Sequence, residues 1–131
     1  MKDVSFLTLE IVIKLHDLQI MKFGGDSALR DMNLLDSACA MPAAVFGDEY
    51  LHADVFEMAA AYIYHIIKNH PFVDGNKRTG LISSMVFLDI NGYVINSDDD
   101  ELYRVALSVA EGSIEKPDVA NFFKKCTEVK D

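Results

Sequence analysis

The chain is expected to fold as an all-α protein, a compact single-domain helical bundle, and three observations lead there. Apolar residues recur at helical spacing almost throughout the 131 residues. Helix caps and breakers punctuate that pattern at short intervals. No internal repeat, low-complexity tract or linker marks a second domain, so residues 1–131 are read as one unit. At 50% hydrophobic, the chain is large enough to bury one core without help from disulfides.

The first helix is expected from about Leu9 to Met21, with Thr8 as its cap and Leu9, Val12, Leu15 and Leu18 at helical spacing. Gly24-Gly25 ends it. A short helix over Leu34 to Ala40 precedes a segment with Pro42, Gly47 and Asp48 that reads as a loop or flap. Asp54 to Asn69 is strongly apolar, and Phe56, Ala59, Ala60, Ile63, Ile66 and Ile67 suit the centre of a bundle. A second central helix follows from Asn76 to Asn91 through Leu81, Ile82, Met85, Val86 and Leu88, and Asn91-Gly92 terminates it. Ser97-Asp98-Asp99-Asp100 has the form of a capping box for a helix reaching about Glu111. Pro117 fits the first turn of a final helix carrying Val119, Phe122, Phe123 and Cys126, with Lys124 and Lys125 near its negative end.

A net charge of −9 argues against a nucleic-acid surface, because binding a phosphate backbone needs clustered Lys and Arg. The segment Met1 to Phe6 lacks the apolar core of a signal peptide, and no apolar run is long enough to span a bilayer, so a cytoplasmic location is expected. Cys39 and Cys126 show neither CxxC nor Cys/His spacing and are read as buried free thiols. His16, His52 and His65 lack i, i+4 pairing and are read as surface or core-edge residues, although His16-Asp17 is the dipeptide of metal-dependent phosphohydrolases. Arg30-Asp31 is either a local ion pair in a turn or part of a flap that positions a target.

The chemistry is concentrated between the two central helices, in His70-Pro71-Phe72-Val73-Asp74-Gly75-Asn76-Lys77-Arg78. These nine residues put a titratable base, a carboxylate, an amide and two cations around one glycine turn. Pro71 disfavours helical geometry at His70, and Asp74-Gly75 supplies a turn with Asp74 as a candidate N-cap. Asn76, Lys77 and Arg78 would then open the next helix with unpaired N–H groups, a start that attracts anions. His70 is the candidate general base, since its ordinary pKa of about 6.5 suits partial deprotonation near neutrality; alone, it would be read as a helix-end residue meeting free carbonyls. Asp74 is the candidate metal ligand, for Mg²⁺ bridging phosphate oxygens. Gly75, Asn76, Lys77 and Arg78 are the candidate nucleotide contacts. Gly75 admits close backbone approach, Asn76 orients the loop or donates to phosphate, Lys77 is a mobile point charge and Arg78 a planar fork. Phe72 is read as a core anchor.

In fixed order, His70, Pro71, Phe72, Asp74, Gly75, Asn76 and Arg78 resemble the core motif of the Fic/Doc superfamily, His-Pro-Phe-x-Asp/Glu-Gly-Asn-Gly/Lys-Arg. Lys77 stands where nucleotidylating Fic enzymes usually carry Gly, and Leu81 where they usually carry a second Arg, so the chain is most similar to the death-on-curing (Doc) branch. The resemblance extends through Gly24-Gly25, Arg30-Asp31, Leu34 to Ala38, Pro42 and Phe87 to Gly92. It implies transfer of the terminal phosphate of Mg-ATP to a protein hydroxyl, a threonine of elongation factor Tu in that branch, with ATP and Mg²⁺ as cofactors. It also implies a toxin neutralised by a partly disordered antitoxin segment that folds into a groove. The alternatives are Fic-like AMP transfer, which Leu81 weakens by removing a phosphate ligand, and a domain that binds a nucleotide or partner without catalysis. Self-inhibition is not expected, because Glu111-Gly112 has Leu107 where the inhibitory pattern needs a hydroxyl residue.

Overall fold

The computed structural model describes residues 3–131, so Met1 and Lys2, part of the segment weighed as a leader, lie outside it. Among the described residues there are six α-helices and only short strands, as the apolar periodicity requires. Helix α1 (Leu9–Phe23) starts where Thr8 Oγ accepts from Ile11 N–H, and ends where Gly24, at φ 85°, donates to Ile20 O. It runs two residues beyond Met21. Leu18 is exposed, because the helix turns Val12 and His16 inward. Helix α2 (Met32–Ala40) begins two residues before Leu34, since the Asp31 carboxylate caps it by accepting from Leu34 N–H.

A short 3-10 turn at Met41–Ala43 leads to an antiparallel hairpin of β1 (Val45–Phe46) and β2 (Glu49–Tyr50), which turns at Gly47. The segment read as a loop or flap is this hairpin, and Phe46 at its turn is 83% exposed.

Helix α3 (Val55–Asn69), capped by Asp54, carries the densest part of the core, with Met58 through Ile63, Ile66 and Ile67 all buried. Helix α4 (Asn76–Ile90) lies against it with Thr79, Gly80, Ser83, Ser84 and Phe87 buried, while Ile82, Met85 and Val86 are only half-buried. Those small residues let two helix backbones approach closely. A Cβ added at Gly80 would sit 3.1 Å from both Ile63 O and Ile67 Cγ1.

Strand β3 (Tyr93–Ile95) pairs antiparallel with β4 (Thr127–Val129), a small sheet that no alternation in the sequence announced. Helix α5 (Asp99–Glu111) is capped one residue later than expected: Asp98 Oδ1 accepts from Glu101 N–H at 2.7 Å, and Ser97 Oγ is buried without a partner. Helix α6 (Lys116–Cys126) has Pro117 in its first turn and a reciprocal box between Glu115 and Asp118. Leu35, Ile63, Phe87, Phe123 and their neighbours form one continuous core, each large side chain worth roughly 1.5–3 kcal/mol of burial. Cys39 and Cys126 are free, and burial pushes the Cys39 thiol up to about 12. Among the described residues no helix is long and apolar enough to cross a membrane.

Candidate active site at the α3–α4 turn

Helix α3 stops at His70 because Pro71 cannot extend it. His70 takes the left-handed conformation (φ 51°, ψ 54°), the one non-glycine residue with positive φ among those described. For an L-residue that geometry costs about 1–2 kcal/mol and persists only where neighbours hold it. Arg30 does so. Its Nε donates to His70 O at 2.6 Å and its Nη2 to Asn69 O at 3.0 Å, satisfying carbonyls that the helix end leaves open. The backbone beside it pairs with the motif loop, through Arg30 N–H and Asp31 N–H to Pro71 O and Val73 N–H to Ala28 O. The local ion pair weighed for Arg30-Asp31 is not formed: Arg30 caps α3 and Asp31 caps α2.

The loop is fastened from inside by Asn76. Buried, it accepts from Phe72 N–H through Oδ1 at 3.0 Å and donates from Nδ2 to Phe72 O at 2.9 Å. Its amide therefore orients the loop, the first of the two roles considered for it. Phe72 is 1% exposed and stacks on the His16 ring, with centroids 3.6 Å apart and planes 6° off parallel. His16 Nε2 lies 2.8 Å from Asp74 O, so the proton belongs on Nε2, with the carbonyl accepting. The expectation of a surface or core-edge His16 is thus corrected: it is buried, because an aromatic face and a carbonyl supply partners for both its ring and its N–H.

Asp74 does not cap α4. Its Oδ2 accepts from Asp26 N–H at 2.7 Å, and Gly75 at φ 83° takes the cap position with no side-chain bond to the helix. A Cβ at Gly75 would lie 3.1 Å from Ile20 Cδ1 and 3.4 Å from the His16 ring, so both conformation and space call for glycine. The first intrahelical bond runs from Thr79 N–H to Gly75 O, which leaves the N–H groups of Asn76, Lys77 and Arg78 ahead of it.

A depression of about 290 Å³ opens over this helix start, lined by Lys68, His70, Asp74, Gly75, Asn76 and Lys77. Five of the six residues picked out from sequence are therefore brought together. The sixth stands apart. The Arg78 guanidinium is held between two aromatic faces, 3.8 Å from the Phe23 centroid and 4.0 Å from that of Tyr103, in a separate cleft with Gln19, Lys22 and Asp99. Such stacking holds a planar cation more firmly than water would.

Residues 6–88 match the model of the Fic/DOC family. The chain belongs to that family. It is 40% identical over 78 residues to Toxin Doc of Mycolicibacterium smegmatis, a match spanning 60% of this chain and 60% of that toxin. It is also 32% identical over 116 residues to Protein kinase doc of Escherichia phage P1, covering 88% of this chain and 90% of that protein. These relatives place it in the death-on-curing branch.

Three residues at this Fic/DOC site have roles that the sequence did not assign them. Lys68 adds a second cation to the depression, and its signal was a base in the last turn of α3, two residues before His70. His16 could have been found from its spacing, four residues after Val12 on the inward face of α1. Nothing local in the sequence announces Arg30 as the clamp on His70, because the contact spans 40 positions. His52 is also buried rather than at the surface, and with His65 it meets Lys116 at the start of α6.

Proposed function

We propose that the protein transfers the terminal phosphate of Mg-ATP to a protein hydroxyl, a threonine of elongation factor Tu being the target that the Doc resemblance implies. It would act as a toxin held in check by an antitoxin protein. The observation that carries this reading is His70 standing exposed at the rim of an uncapped helix start that two lysines flank. The names of the relatives, a toxin and a protein kinase, support the same class of protein-modifying transferase.

In this reading the N–H groups of Asn76, Lys77 and Arg78 and the backbone at Gly75 receive phosphate oxygens, and the ammonium groups of Lys68 and Lys77 offset their charge. His70 takes the proton of the attacking hydroxyl. The Arg30 clamp fixes the backbone from which the imidazole projects, so the base is positioned before substrate arrives. Asp74 fits a magnesium ligand: its carboxylate is exposed, and only Oδ2 is engaged by a backbone N–H. Among the described residues no three His, Cys, Asp or Glu side chains converge on one point, which suits an ion shared with phosphates rather than caged by protein. Mg²⁺, when bound there, would offset the negative charge of the phosphates.

The test is mass spectrometry of elongation factor Tu, and of a bacterial lysate, after incubation with the protein and Mg-ATP, with His70→Ala as control. A phosphoryl-sized increment on a threonine, lost in the variant, is the expected result. A nucleotidyl-sized increment would replace the reading with AMP transfer, and no increment dependent on His70 would leave a binding role.

A further inference from the structure

Three side-chain nitrogens from three parts of the chain converge at the base of the β1–β2 hairpin. Lys116 Nζ, in the first turn of α6, lies 3.0 Å from His65 Nε2 on α3 and 3.2 Å from Nε2 of His52, two residues after β2. The lysine ammonium donates to both rings, so each ring must present an Nε2 lone pair. The His52 ring is set for that: its Nδ1 faces the Pro42 carbonyl, short of a full hydrogen bond, which puts the ring proton on that side. With one positive charge the cluster is satisfied. A second proton leaves two cations facing each other, N–H against N–H at hydrogen-bond distance, whichever nitrogen carries the first. At 4% exposure His52 has no water to turn to in place. The neighbouring groups do not absorb a second charge. On α3, Glu57 lines the same cavity of about 240 Å³ as Lys116 and His52, and its Oε1 accepts from Ala53 N–H at 3.4 Å. Tyr64 sets its ring 5.9 Å from Lys116 Nζ, while its hydroxyl donates to Glu115 Oε2 at the cap of α6. Lys124 on α6 is paired with Asp54 at 3.4 Å, and no carboxylate among the described residues is ion-paired with Lys116. Glu57 therefore balances one positive charge, not two.

We propose that Lys116, His52 and His65 form an acid-released latch on the β1–β2 hairpin. Closed, the latch ties the hairpin's base, where Leu51 N–H donates to Ala44 O at 2.8 Å, to α3 and α6. A second proton breaks the tie at His52, the ring withdraws into water, and residues 45–51 are freed while the helices stay folded. The contact of Tyr50 with the Phe6 ring, centroids 5.7 Å apart, is uncharged and does not oppose the change. The direction follows from proton linkage. In the closed form burial first and Lys116 next lower both rings, His65 to about 4 against 6.5 when free. Opening therefore takes up protons as pH falls below 6.5, and the closed-to-open ratio drops by up to about tenfold per pH unit for each ring.

The whole protein, labelled with ¹⁵N, is titrated by NMR from about pH 7 to about pH 4.5, where free and latched imidazoles differ. Backbone order parameters of residues 45–51 should fall from about 0.85 to below about 0.6, while α3 and α4 keep rigid values. The midpoint should coincide with that of the His52 and His65 ring signals, which residue-specific assignment separates from His16 and His70. In His52→Gln the amide oxygen still accepts from Lys116 but takes no proton, so the hairpin should stay ordered over the same range. A hairpin that keeps its order while the His52 ring titrates overturns the proposal. So does loss of hairpin and helices in a single transition, and both of these readings need only the wild-type protein. An opening midpoint in His52→Gln equal to that of the wild type overturns it as well.

Discussion

His70 combines two constraints, a strained backbone and an exposed imidazole, and Arg30 reconciles them by closing the carbonyls of Asn69 and His70. If the imidazole is the base, His70→Ala lowers kcat by about 10²–10⁴-fold while ATP affinity, read by calorimetry, stays near wild type. Asp74 separates two duties of one carboxylate. In Asp74→Asn the amide oxygen can keep the bond to Asp26 N–H but carries no charge, so the fold should hold and the Mg²⁺ concentration for half-maximal activity should rise. A magnesium dependence equal to wild type in that variant would remove Asp74 as the ligand. Of the residues read from sequence, Gly75 and Asn76 are where local reasoning reached furthest, because turn geometry and a buried amide are local matters. Arg78 is where it stopped: Phe23 and Tyr103, which hold it, come from helices far away in sequence.

The helices owe their boundaries to caps, and one of these gives a clean test. Asp98, not Ser97, receives the α5 N–H, so Asp98→Ala should destabilise the protein by about 1 kcal/mol. Ser97→Ala, which removes a buried hydroxyl without a partner, should leave denaturant midpoints unchanged or slightly raised. The contact between α3 and α4 is governed by Gly80. Helix propensity alone predicts that Gly80→Ala stabilises by up to about 1 kcal/mol. The added Cβ would press on Ile63 O and Ile67 at 3.1 Å, and overpacking of this kind costs about 1–3 kcal/mol. A lower melting temperature for Gly80→Ala is therefore expected, and a higher one would mean that the two helices can separate without loss.

For the molecule as a whole, the shifted groups bound a pH window. His65, near 4 in the folded chain against 6.5 when free, and His52, also lowered by burial first and by Lys116 next, both prefer the neutral form. The unfolded chain binds more protons between those values, so their contribution is fully present above 6.5 and is lost as pH falls toward 4. On the alkaline side the Cys39 thiol and Tyr62 phenol are each pushed up to about 12 by burial, from 9.0 and 10.0. For these acids the neutral form is again favoured, and stability is lost as pH rises above 9.0. Melting temperature should form a plateau between these limits, and replacing His65 by Gln should flatten its acid flank. An acid flank identical in that variant would show that other groups set it.

The all-α class and the helix positions follow from the sequence alone, because capping, apolar period and turn formation involve residues a few positions apart. The β3–β4 pair, the flap's hairpin and the stacking of His16 on Phe72 did not follow, since each depends on how segments meet in the fold. The same reason separates the motif's members. Sequence order placed Arg78 beside Lys77, whereas tertiary packing put Lys77 with Lys68 over an open helix start and drew Arg78 between two aromatic rings, where a planar cation is better held than in water.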